Sequence, residues 1–321
     1  MEVPFHRASI TDAEIEEVVS VLRSGWITTG PMVRRFEEEF AGYIGSKNAV
    51  ALNSCTAGLH LAREALGISR GDSVIVPAMT FAATAEVVRY LDADPVFVDC
   101  REDDLNFDLA AVERAHGECA AQGKKVGAVI PVHYGGQVGD LPGLMSFARA
   151  NDLKVVEDAA HCCPAHYREN ADAEWQSVGT AGDVSAFSFY ANKTITTGEG
   201  GMAVTADDAL AERMRTMSLH GMSRDSWKRF SKEGSYYYEI VAPGFKYNLT
   251  DIAAAIGVHQ LARADALHRE RQRLARLYCE HLADVEELTL PREMPDRIHS
   301  WHLYVVRLRL GELGGDRRAF I

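Results

Sequence analysis

The sequence predicts an α/β protein with a mostly parallel sheet that is covered by helices on both faces. Short apolar runs alternate with helical patterns over most of the 321 residues. The runs are continuously apolar and do not alternate between apolar and polar residues, which is typical of strands buried on both faces. A hydrophobic content of 47% in a chain of this length is enough for a large core with a smaller second unit.

The first predicted element is a helix near the N-terminus. Thr11 and Glu14 have the spacing of a capping box, in which each side chain bonds the other's backbone amide. Gly25 follows the last apolar position and can adopt the left-handed conformation that ends a helix. We therefore expect one helix between Thr11 and Gly25.

Seven strands are predicted after this helix, at residues 49–52, 73–76, 95–98, 126–132, 153–157, 184–189 and 201–205. Helices are predicted between the first five of them, at residues 58–66, 82–91, 109–121 and 141–151. The last two strands are too close together for a crossover helix. One of them is therefore expected to be antiparallel or to lie at the edge of the sheet.

The C-terminal part is predicted to be helical and then mixed. Thr250 can cap a helix that extends through Leu261, and residues 265–282 form a second, highly charged helix. Residues 301–310 read as a strand and 316–321 as the start of another helix. We expect a large domain at 1–262 and a small, incomplete α/β domain at 263–321, because the sequence stops inside the last predicted helix.

Charge and cysteine content restrict the function. Asp and Glu number 46 against 34 Lys and Arg, a net charge of −12, which disfavours nucleic-acid binding and attachment to anionic membranes. The sequence contains no apolar run long enough to span a membrane. Six scattered cysteines without a C-x-x-C pair indicate reduced thiols, no metal site and a cytoplasmic protein.

Chemistry is expected at the carboxyl ends of the strands, where ligands bind in open α/β sheets. The segment 53–58 (NSCTAG) follows the first strand and leads directly into a helix, whose free amides can hold a phosphate. A simple capped turn explains this segment equally well. Glu157, Asp158 and His161 follow the fifth strand, where they form either a structural cap or a partner for a cofactor cation.

The most informative residue is Lys193, which lies shortly after a buried strand and before a loop rich in Thr and Gly. Most lysines are solvated, but burial lowers the pKa of an amine and makes it available for Schiff-base chemistry. A phosphate cradle, an anionic partner and a nucleophilic lysine on one sheet are the three parts of a pyridoxal phosphate (PLP) site.

Five segments resemble the DegT/StrS-type nucleotide-sugar aminotransferases, which are PLP enzymes of fold type I. They occur in the family's order at residues 25–31 (GWITTGP), 77–81 (PAMTF), 157–161 (EDAAH), 188–201 and 244–251 (GFKYNLTD). The resemblance covers nearly the whole chain.

The resemblance implies a role for particular residues. Lys193 would bond the cofactor covalently, Asp158 would pair with the pyridinium nitrogen, and His161 would lie near the phenolic oxygen of the ring. The other implied contacts are stacking by Phe81, phosphate binding by Thr56, Ala57 and Ser188, phosphate binding in the neighbouring subunit by Asn248, and substrate contacts by Trp26, Ile27 and Thr28.

The implied reaction has two halves. An amino donor, glutamate as in relatives, passes its amino group to the cofactor, which then aminates a keto group of a nucleotide-linked sugar. Lys193 would carry the proton between the two carbons as general acid and base. His161 occupies a position where histidine, in place of glutamine, is typical of family members that act on 4-keto sugars, so the resemblance implies a 4-keto substrate. The resemblance also implies a homodimer with shared active sites.

A basic stretch between the lysine loop and Asn248 is a candidate for binding the diphosphate of the substrate, although most such stretches are solvated faces. Its members are Arg213, Arg215, Arg224, Lys228, Arg229 and Lys232. His220 reads as structural, and Trp26 fits a core position as well as a substrate contact.

Three other functions remain open as interpretations of the sequence. Related PLP sugar dehydratases have histidine in place of the lysine, so Lys193 argues against that reading. A non-catalytic sensor or an inactive, truncated paralogue on the same scaffold is a second reading. A nicotinamide dehydrogenase is disfavoured because no G-x-G-x-x-G motif follows the first strand.

Overall fold

The computed structural model describes residues 4, 6–222, 239–311 and 318. Its main feature is a seven-stranded sheet in the order β1-β9-β8-β5-β4-β2-β3. The described strands are β1 (Asn48–Leu52), β2 (Asp72–Pro77), β3 (Asp94–Val98), β4 (Lys125–Val129), β5 (Lys154–Asp158), β6 (His166–Tyr167), β7 (Gln176–Ser177), β8 (Val184–Ser188), β9 (Gly201–Thr205), β10 (Leu288–Thr289), β11 (Arg297–Ile298) and β12 (Arg307–Leu308). The predicted strands of the large sheet are all present.

Helices cover both faces of this sheet, as predicted. They are α1 (Asp12–Ser24), α2 (Pro31–Ile44), α3 (Cys55–Ala65), α4 (Ala82–Tyr90), α5 (Leu109–Ala121), α6 (Leu141–Ala150), α7 (Asp208–Ser218), α8 (Asp251–Ala262) and α9 (Ala264–Leu282). The capping box of Thr11 and Glu14 is formed, and Gly25 ends α1 in the left-handed region at φ 76°.

The antiparallel strand of the sheet is β9. It pairs antiparallel with β8 on one side and with β1 on the other, whereas β8, β5, β4, β2 and β3 run parallel. The prediction that one of the two closely spaced strands is antiparallel is therefore confirmed. The parallel strands bring the ends of β5 and β8 to one edge of the sheet, which is where the polar residues lie.

Helix α2 is absent from the sequence prediction, which treats residues 25–31 as a family motif and assigns no element between that motif and the first strand. The sequence does carry its signals. Pro31 occupies the first turn, and Phe36, Phe40 and Ile44 recur every four residues and are buried. Helix α3 begins at Cys55, three residues earlier than the predicted helix at 58–66.

The core has an aromatic centre between α2 and the sheet. The rings of Phe36 and Phe40 on α2 lie 5.2 Å from those of Phe189 and Phe187, respectively. All four side chains are fully buried. The opposite face of the sheet is covered by α3, and burial of apolar surface on both faces is the dominant stabilising contribution.

The predicted strand at 301–310 is wrong for most of its length, since only Arg307–Leu308 is a strand. The backbone before it bonds elsewhere: the amides of Ser300 and Leu303 donate to the carbonyl groups of Gly136 and Gly135 at 2.9 and 3.0 Å. Trp301 has φ 50°, which is incompatible with a strand. The predicted helix at 316–321 lies outside the described residues, except for residue 318.

The described residues lack both a membrane-spanning helix and a metal-binding cluster. None of their helices is both long and apolar enough to cross a membrane. No group of His, Cys, Asp and Glu side chains among them is arranged to hold a metal ion.

Candidate active site

Strand β5 ends with a buried carboxylate at the edge of the sheet. Asp158 Oδ2 accepts a hydrogen bond from Thr84 Oγ1 at 2.7 Å, and Oδ1 accepts one from the amide of Ala160 at 3.2 Å. Burial raises the pKa of Asp158, and these hydrogen bonds offset the shift only in part. The described residues place no Lys, Arg or His nitrogen within 4.0 Å of this carboxylate, so its charge has no direct cationic partner among them.

The preceding residue, Glu157, points to the other face of the strand. Its carboxylate accepts hydrogen bonds from His133 Nε2 at 3.1 Å, Ser185 Oγ at 2.8 Å and the amide of Gly182 at 2.8 Å. Burial alone would raise the pKa of Glu157, but these hydrogen bonds outweigh it and hold the pKa below its ordinary value. Glu157 therefore ties β5 to β8 directly behind Asp158.

Lys193 lies in the loop after β8, and its amine is half-buried near Asp158. Its Nζ lies 3.3 Å from Nε2 of His302. Burial lowers the pKa of the amine, and the nearby acidic group of Asp158 opposes the shift. A lowered pKa increases the fraction of free amine at any given pH, and the free amine is the form that a nucleophile or a proton carrier requires.

Two histidines lie beside Lys193, and together with Lys193 and Asp158 they form what we call the lysine pocket. The rings of His161 and His302 lie 4.4 Å apart, and Nδ1 of His161 accepts a hydrogen bond from the amide of Gly135 at 3.1 Å. Burial lowers the pKa of His161 to about 3 and that of His302 even further. Both rings are therefore neutral at pH 7, and Nδ1 of His302 is buried without a hydrogen-bond partner in the described part of the chain.

The start of α3 lies beside this group. Ser54 caps the helix by accepting a hydrogen bond from the amide of Ala57 at 3.1 Å, so the amides of Cys55 and Thr56 remain at the first turn. The Cys55 thiol donates to the carbonyl of Ala186 in β8 at 3.4 Å. A Cβ at Gly201 would overlap the main chain of Ser54, so glycine is required for this close approach.

Two more predicted residues border the pocket. Phe81 precedes α4 and is 77% exposed, one turn before the Thr84 that binds Asp158. Ser188 ends β8, and its hydroxyl accepts a hydrogen bond from the amide of Tyr190 at 3.4 Å. An exposed aromatic ring at the edge of a polar pocket has an open face for a planar ligand.

The remaining predicted residues form a second group around the start of α2. Asn248 Nδ2 donates to Thr29 Oγ1 at 2.7 Å, and Thr29 bonds the carbonyl of Leu249. Trp26 Nε1 donates to the carbonyl of Thr29 at 3.1 Å, and its ring lies against Gly30. The structure gives no contact between Asn248 and Lys193 in this chain.

The carboxylate of Asp251 holds this second group together. It accepts hydrogen bonds from the amides of Gly30 at 2.7 Å, Val33 at 3.0 Å and Met32 at 3.2 Å. Its own amide donates to the carbonyl of Thr28 at 3.1 Å. Ile27, by contrast, is half-exposed and free to contact a ligand or a partner.

Arg213 and Arg215 of the basic stretch are engaged within the chain. Arg213 pairs with Glu64, while Arg215 pairs with Glu37 at 2.6 Å and bonds the carbonyl of Ala49. These ion pairs argue against the suggested diphosphate contact for both arginines. The other four members, at 224, 228, 229 and 232, lie outside the described residues.

The residues present fit PLP. The residues around Lys193 offer a buried carboxylate without a direct cationic partner among the described residues, a lysine amine in a desolvated position, and the amides at the start of a helix for a phosphate. The close approach at Gly201 leaves no side chain between β9 and that helix start. These are complementary to the ring nitrogen, the aldehyde and the phosphate of the cofactor.

A family model for the DegT/DnrJ/EryC1/StrS aminotransferases matches residues 8–321. The chain belongs to this family. Enzymes of the family use PLP, so the predicted fold type, cofactor and enzyme class are confirmed, and the chain is a PLP-dependent sugar aminotransferase.

Individual relatives of this aminotransferase support the assignment. The chain is 42% identical over 319 residues to the spore coat polysaccharide biosynthesis protein SpsC of Bacillus subtilis, covering 99% of this chain and 79% of SpsC. It is 45% identical over 319 residues to the uncharacterised protein MJ1066 of Methanocaldococcus jannaschii, covering 99% and 80%. The PLP form of Spr1654 from Streptococcus pneumoniae, assigned as a sugar aminotransferase, superposes with a TM-score of 0.85 at 33% identity, over 96% of this chain and 79% of Spr1654.

Sequence reasoning did not single out His302, Arg271, Thr84 and Asp251, which the structure places in contact with the two groups of predicted residues or next to them. Thr84 had a weak signal, because it lies in the first turn of a helix that follows the PAMTF motif. His302 and Arg271 had none, because their contacts with the lysine pocket depend on how the C-terminal segment packs against Gly135 and Gly136.

Proposed function

We propose that this enzyme transfers an amino group from glutamate to the keto group, at C4, of a nucleotide-linked 6-deoxy sugar. The observation that carries the proposal is the desolvated amine of Lys193 beside the buried Asp158. Membership of the sugar aminotransferase family supports the reaction class. The glutamate donor and the C4 position follow from the family resemblance alone and are the finer part of the proposal.

Lys193, Asp158 and His161 each have a task in this reaction. When bound at Lys193, PLP supplies an electron sink for the bond that breaks at the donor's α-carbon. Asp158 would hold a positive charge at the ring nitrogen, and His161 would contact the oxygen on the ring. The donor's amino group would displace Lys193 from the cofactor, and the freed Lys193 amine would take the proton from the donor's α-carbon and later release it, which its lowered pKa allows.

Binding of the cofactor is assigned to the surrounding residues. Thr56, Ala57 and Ser188 hold the phosphate at the start of α3, and Phe81 covers one face of the ring. Free amides at a helix start and the helix dipole both favour an anion there. Trp26, Ile27 and Thr28 contact the nucleotide sugar.

The proposal includes a homodimer in the cytoplasm. Asn248 lies in the second group with Thr29, and we assign it to the phosphate of the neighbouring subunit. The six cysteines are all free, as expected in a reducing compartment. The relative SpsC is named for polysaccharide biosynthesis, and we place this enzyme in a pathway of the same kind. We divide the chain into domains 1–262 and 263–321, at the break between α8 and α9.

Mass spectrometry after borohydride reduction tests the assignment of Lys193. Borohydride fixes the cofactor on the lysine that carries it, so the adduct is expected on the peptide that contains Lys193. K193R should lose the adduct and the glutamate reaction, whereas K47R, at an exposed lysine paired with Asp208, should keep both. An adduct on a different lysine would refute the assignment.

A substrate panel tests the donor and acceptor. Glutamate should change the absorption of the bound cofactor and release 2-oxoglutarate, and a set of nucleotide-linked 3-keto and 4-keto sugars should then restore the original spectrum. Parallel lines in double-reciprocal plots are expected for the two-step exchange. Preference for 3-keto sugars would contradict the C4 assignment.

Sedimentation combined with subunit mixing tests the shared site. N248A and K193R proteins should each have low activity, and mixing them should restore part of it by forming one intact site per hybrid dimer. N48A, at a half-buried asparagine of β1 whose side chain bonds Asp208, is the control for N248A. An active monomer, or no recovery on mixing, would contradict the shared site.

A further inference from the structure

Arg271 on α9 is a half-buried arginine whose guanidinium is only partly bonded. Its Nη1 donates to the carbonyl groups of Trp301 and His302 at 3.2 and 3.4 Å. An arginine has five N–H donors, and these two bonds use those on Nη1. The edge formed by Nε and Nη2 has no acceptor among the described residues.

The charge of Arg271 also has no counter-ion. Within the described residues, no carboxylate oxygen lies within 4.0 Å of its guanidinium, although its neighbour two positions along, Arg273, pairs with Glu270 at 2.8 Å. Burial lowers the pKa of Arg271, which shows that its desolvation is not offset by an anion. An unpaired charge in such a position is costly unless an anionic ligand neutralises it.

The position of Arg271 points to the ligand. Its Nη1 bonds the carbonyl of His302, whose Nε2 lies 3.3 Å from Nζ of Lys193, so the guanidinium borders the lysine pocket. The two neighbouring imidazoles are neutral at pH 7, and the acidic group of Asp158 is assigned to the cationic ring nitrogen. An anionic group of a substrate that enters this pocket, in addition to the cofactor phosphate, would therefore pair with Arg271.

We propose that Arg271 binds the carboxylate group of the amino donor through its Nε–Nη2 edge, beside Lys193. This inference rests on the proposed function, since it names the residue that recognises the donor of that reaction. The planar edge of a guanidinium matches the two oxygens of a carboxylate and forms two parallel hydrogen bonds with it.

The alternative anion at this pocket is the diphosphate of the nucleotide sugar. In an amino acid, the carboxylate is bonded directly to the carbon that carries the reacting amino group. In a 4-keto sugar, the diphosphate is attached to C1, across the ring from the reacting carbon. The guanidinium of Arg271, which lies near Lys193, is therefore better placed for the donor's carboxylate than for the diphosphate. The experiment distinguishes these two anions.

The test measures the two half-reactions of the holoenzyme separately in three variants. R271M removes the charge and the fork, and R271K keeps the charge but cannot form two parallel bonds. R273M, on the exposed side of the same helix, is the matched control. For R271M we expect the half-saturating glutamate concentration to rise by roughly 10- to 100-fold, which is the range for a lost charge-assisted pair. R271K should lie between R271M and the wild type, and R273M should match the wild type.

A binding measurement gives a readout that does not depend on catalysis. Isothermal titration of the cofactor-free full chain with 2-oxoglutarate should show affinity for the wild type and R273M and a loss of similar size for R271M. Inorganic pyrophosphate serves as the probe for the diphosphate, and its affinity should not depend on Arg271. Thermal unfolding of each variant verifies that the segment held by Nη1 is still packed.

The outcomes are distinguishable. An unchanged glutamate dependence in R271M would overturn the inference and leave the proposed function intact. A rise confined to the keto-sugar half-reaction, or a loss of pyrophosphate affinity, would assign Arg271 to the diphosphate and also overturn it. Absence of any reaction between glutamate and the wild type would refute the proposed function first.

Discussion

The amine of Lys193 lies 3.3 Å from Nε2 of His302, a residue 109 positions later in the chain. This contact joins the lysine loop of the large sheet to the C-terminal segment, and Arg271 bonds the carbonyl of the same histidine. The environment of the Lys193 amine is therefore built from the lysine loop and from the C-terminal segment. Changes in the C-terminal segment are expected to alter the chemistry of Lys193.

Lys193 and Lys125 should differ in the pH at which they react with an acylating reagent. Burial lowers the pKa of Lys193, whereas Asp72 raises the pKa of Lys125. Only the free amine reacts, so Lys193 in the cofactor-free protein should be labelled at lower pH than Lys125. Trace labelling with acetic anhydride and peptide mass spectrometry gives both titration curves. A Lys193 curve at or above that of Lys125 would contradict the described environment.

Replacing Glu157 with glutamine should reduce stability by about 2–3 kcal/mol at pH 7, because one charged acceptor of three buried hydrogen bonds is lost. E38Q, at an exposed position, should stay within about 0.5 kcal/mol. Urea unfolding measures both. Equal stability of E157Q and the wild type would show that the three hydrogen bonds contribute nothing net.

The effect of Glu157 should also depend on pH. Its pKa in the folded protein is below the ordinary value of 4.5, so its stabilisation is fully present above that pH and is lost as the pH falls through the folded-state pKa. The difference in unfolding free energy between wild type and E157Q should therefore shrink below pH 4.5. A difference that grows in acid would reverse the sign of the shift.

Removing the Asp251 carboxylate should weaken the start of α2. The side chain is 2% exposed and accepts hydrogen bonds from three backbone amides. We expect D251A to lose about 2–3 kcal/mol of unfolding free energy, as for a buried charge-assisted group. D207A, which removes an exposed cap from α7, should cost about 1 kcal/mol. Similar losses in the two variants would show that Asp251 acts as an ordinary cap.

Arg63 should be a position where a charge can be removed with a gain in stability. Its side chain is 0% exposed, and Nη2 donates to the carbonyl of Val88 at 3.2 Å. Nε and Nη1 have no hydrogen-bond partner among the described residues, and burial lowers the pKa of Arg63 to about 10. R63M should therefore raise the free energy of unfolding by about 1–2 kcal/mol.

The control for this change is R70M, at an arginine whose side chain is 83% exposed. It should change the unfolding free energy by less than about 0.5 kcal/mol. Urea unfolding at a single pH is the measurement for both variants. A loss of stability in R63M would mean that Arg63 has a favourable partner in solution.

Local patterns were sufficient to predict most of the sheet. Continuous apolar runs marked the strands, and the short spacing before Gly201 marked an antiparallel neighbour, because a parallel return needs a crossover. The C-terminal segment failed the same reasoning. Its apolar residues resemble a strand, but its backbone groups bond Gly135 and Gly136, and Trp301 takes a positive φ.

The sequence by itself determined the layered α/β architecture and marked Lys193 and Asp158 as candidate site residues, because periodicity and position after a strand are local properties. Tertiary structure alone decided that His302 and Arg271 reach the lysine pocket and that Asp251 caps α2 from 221 residues away. Those contacts depend on hydrogen bonds and packing between distant segments. The spacing of residues along a chain does not record which distant backbone groups will need a partner once the core has formed.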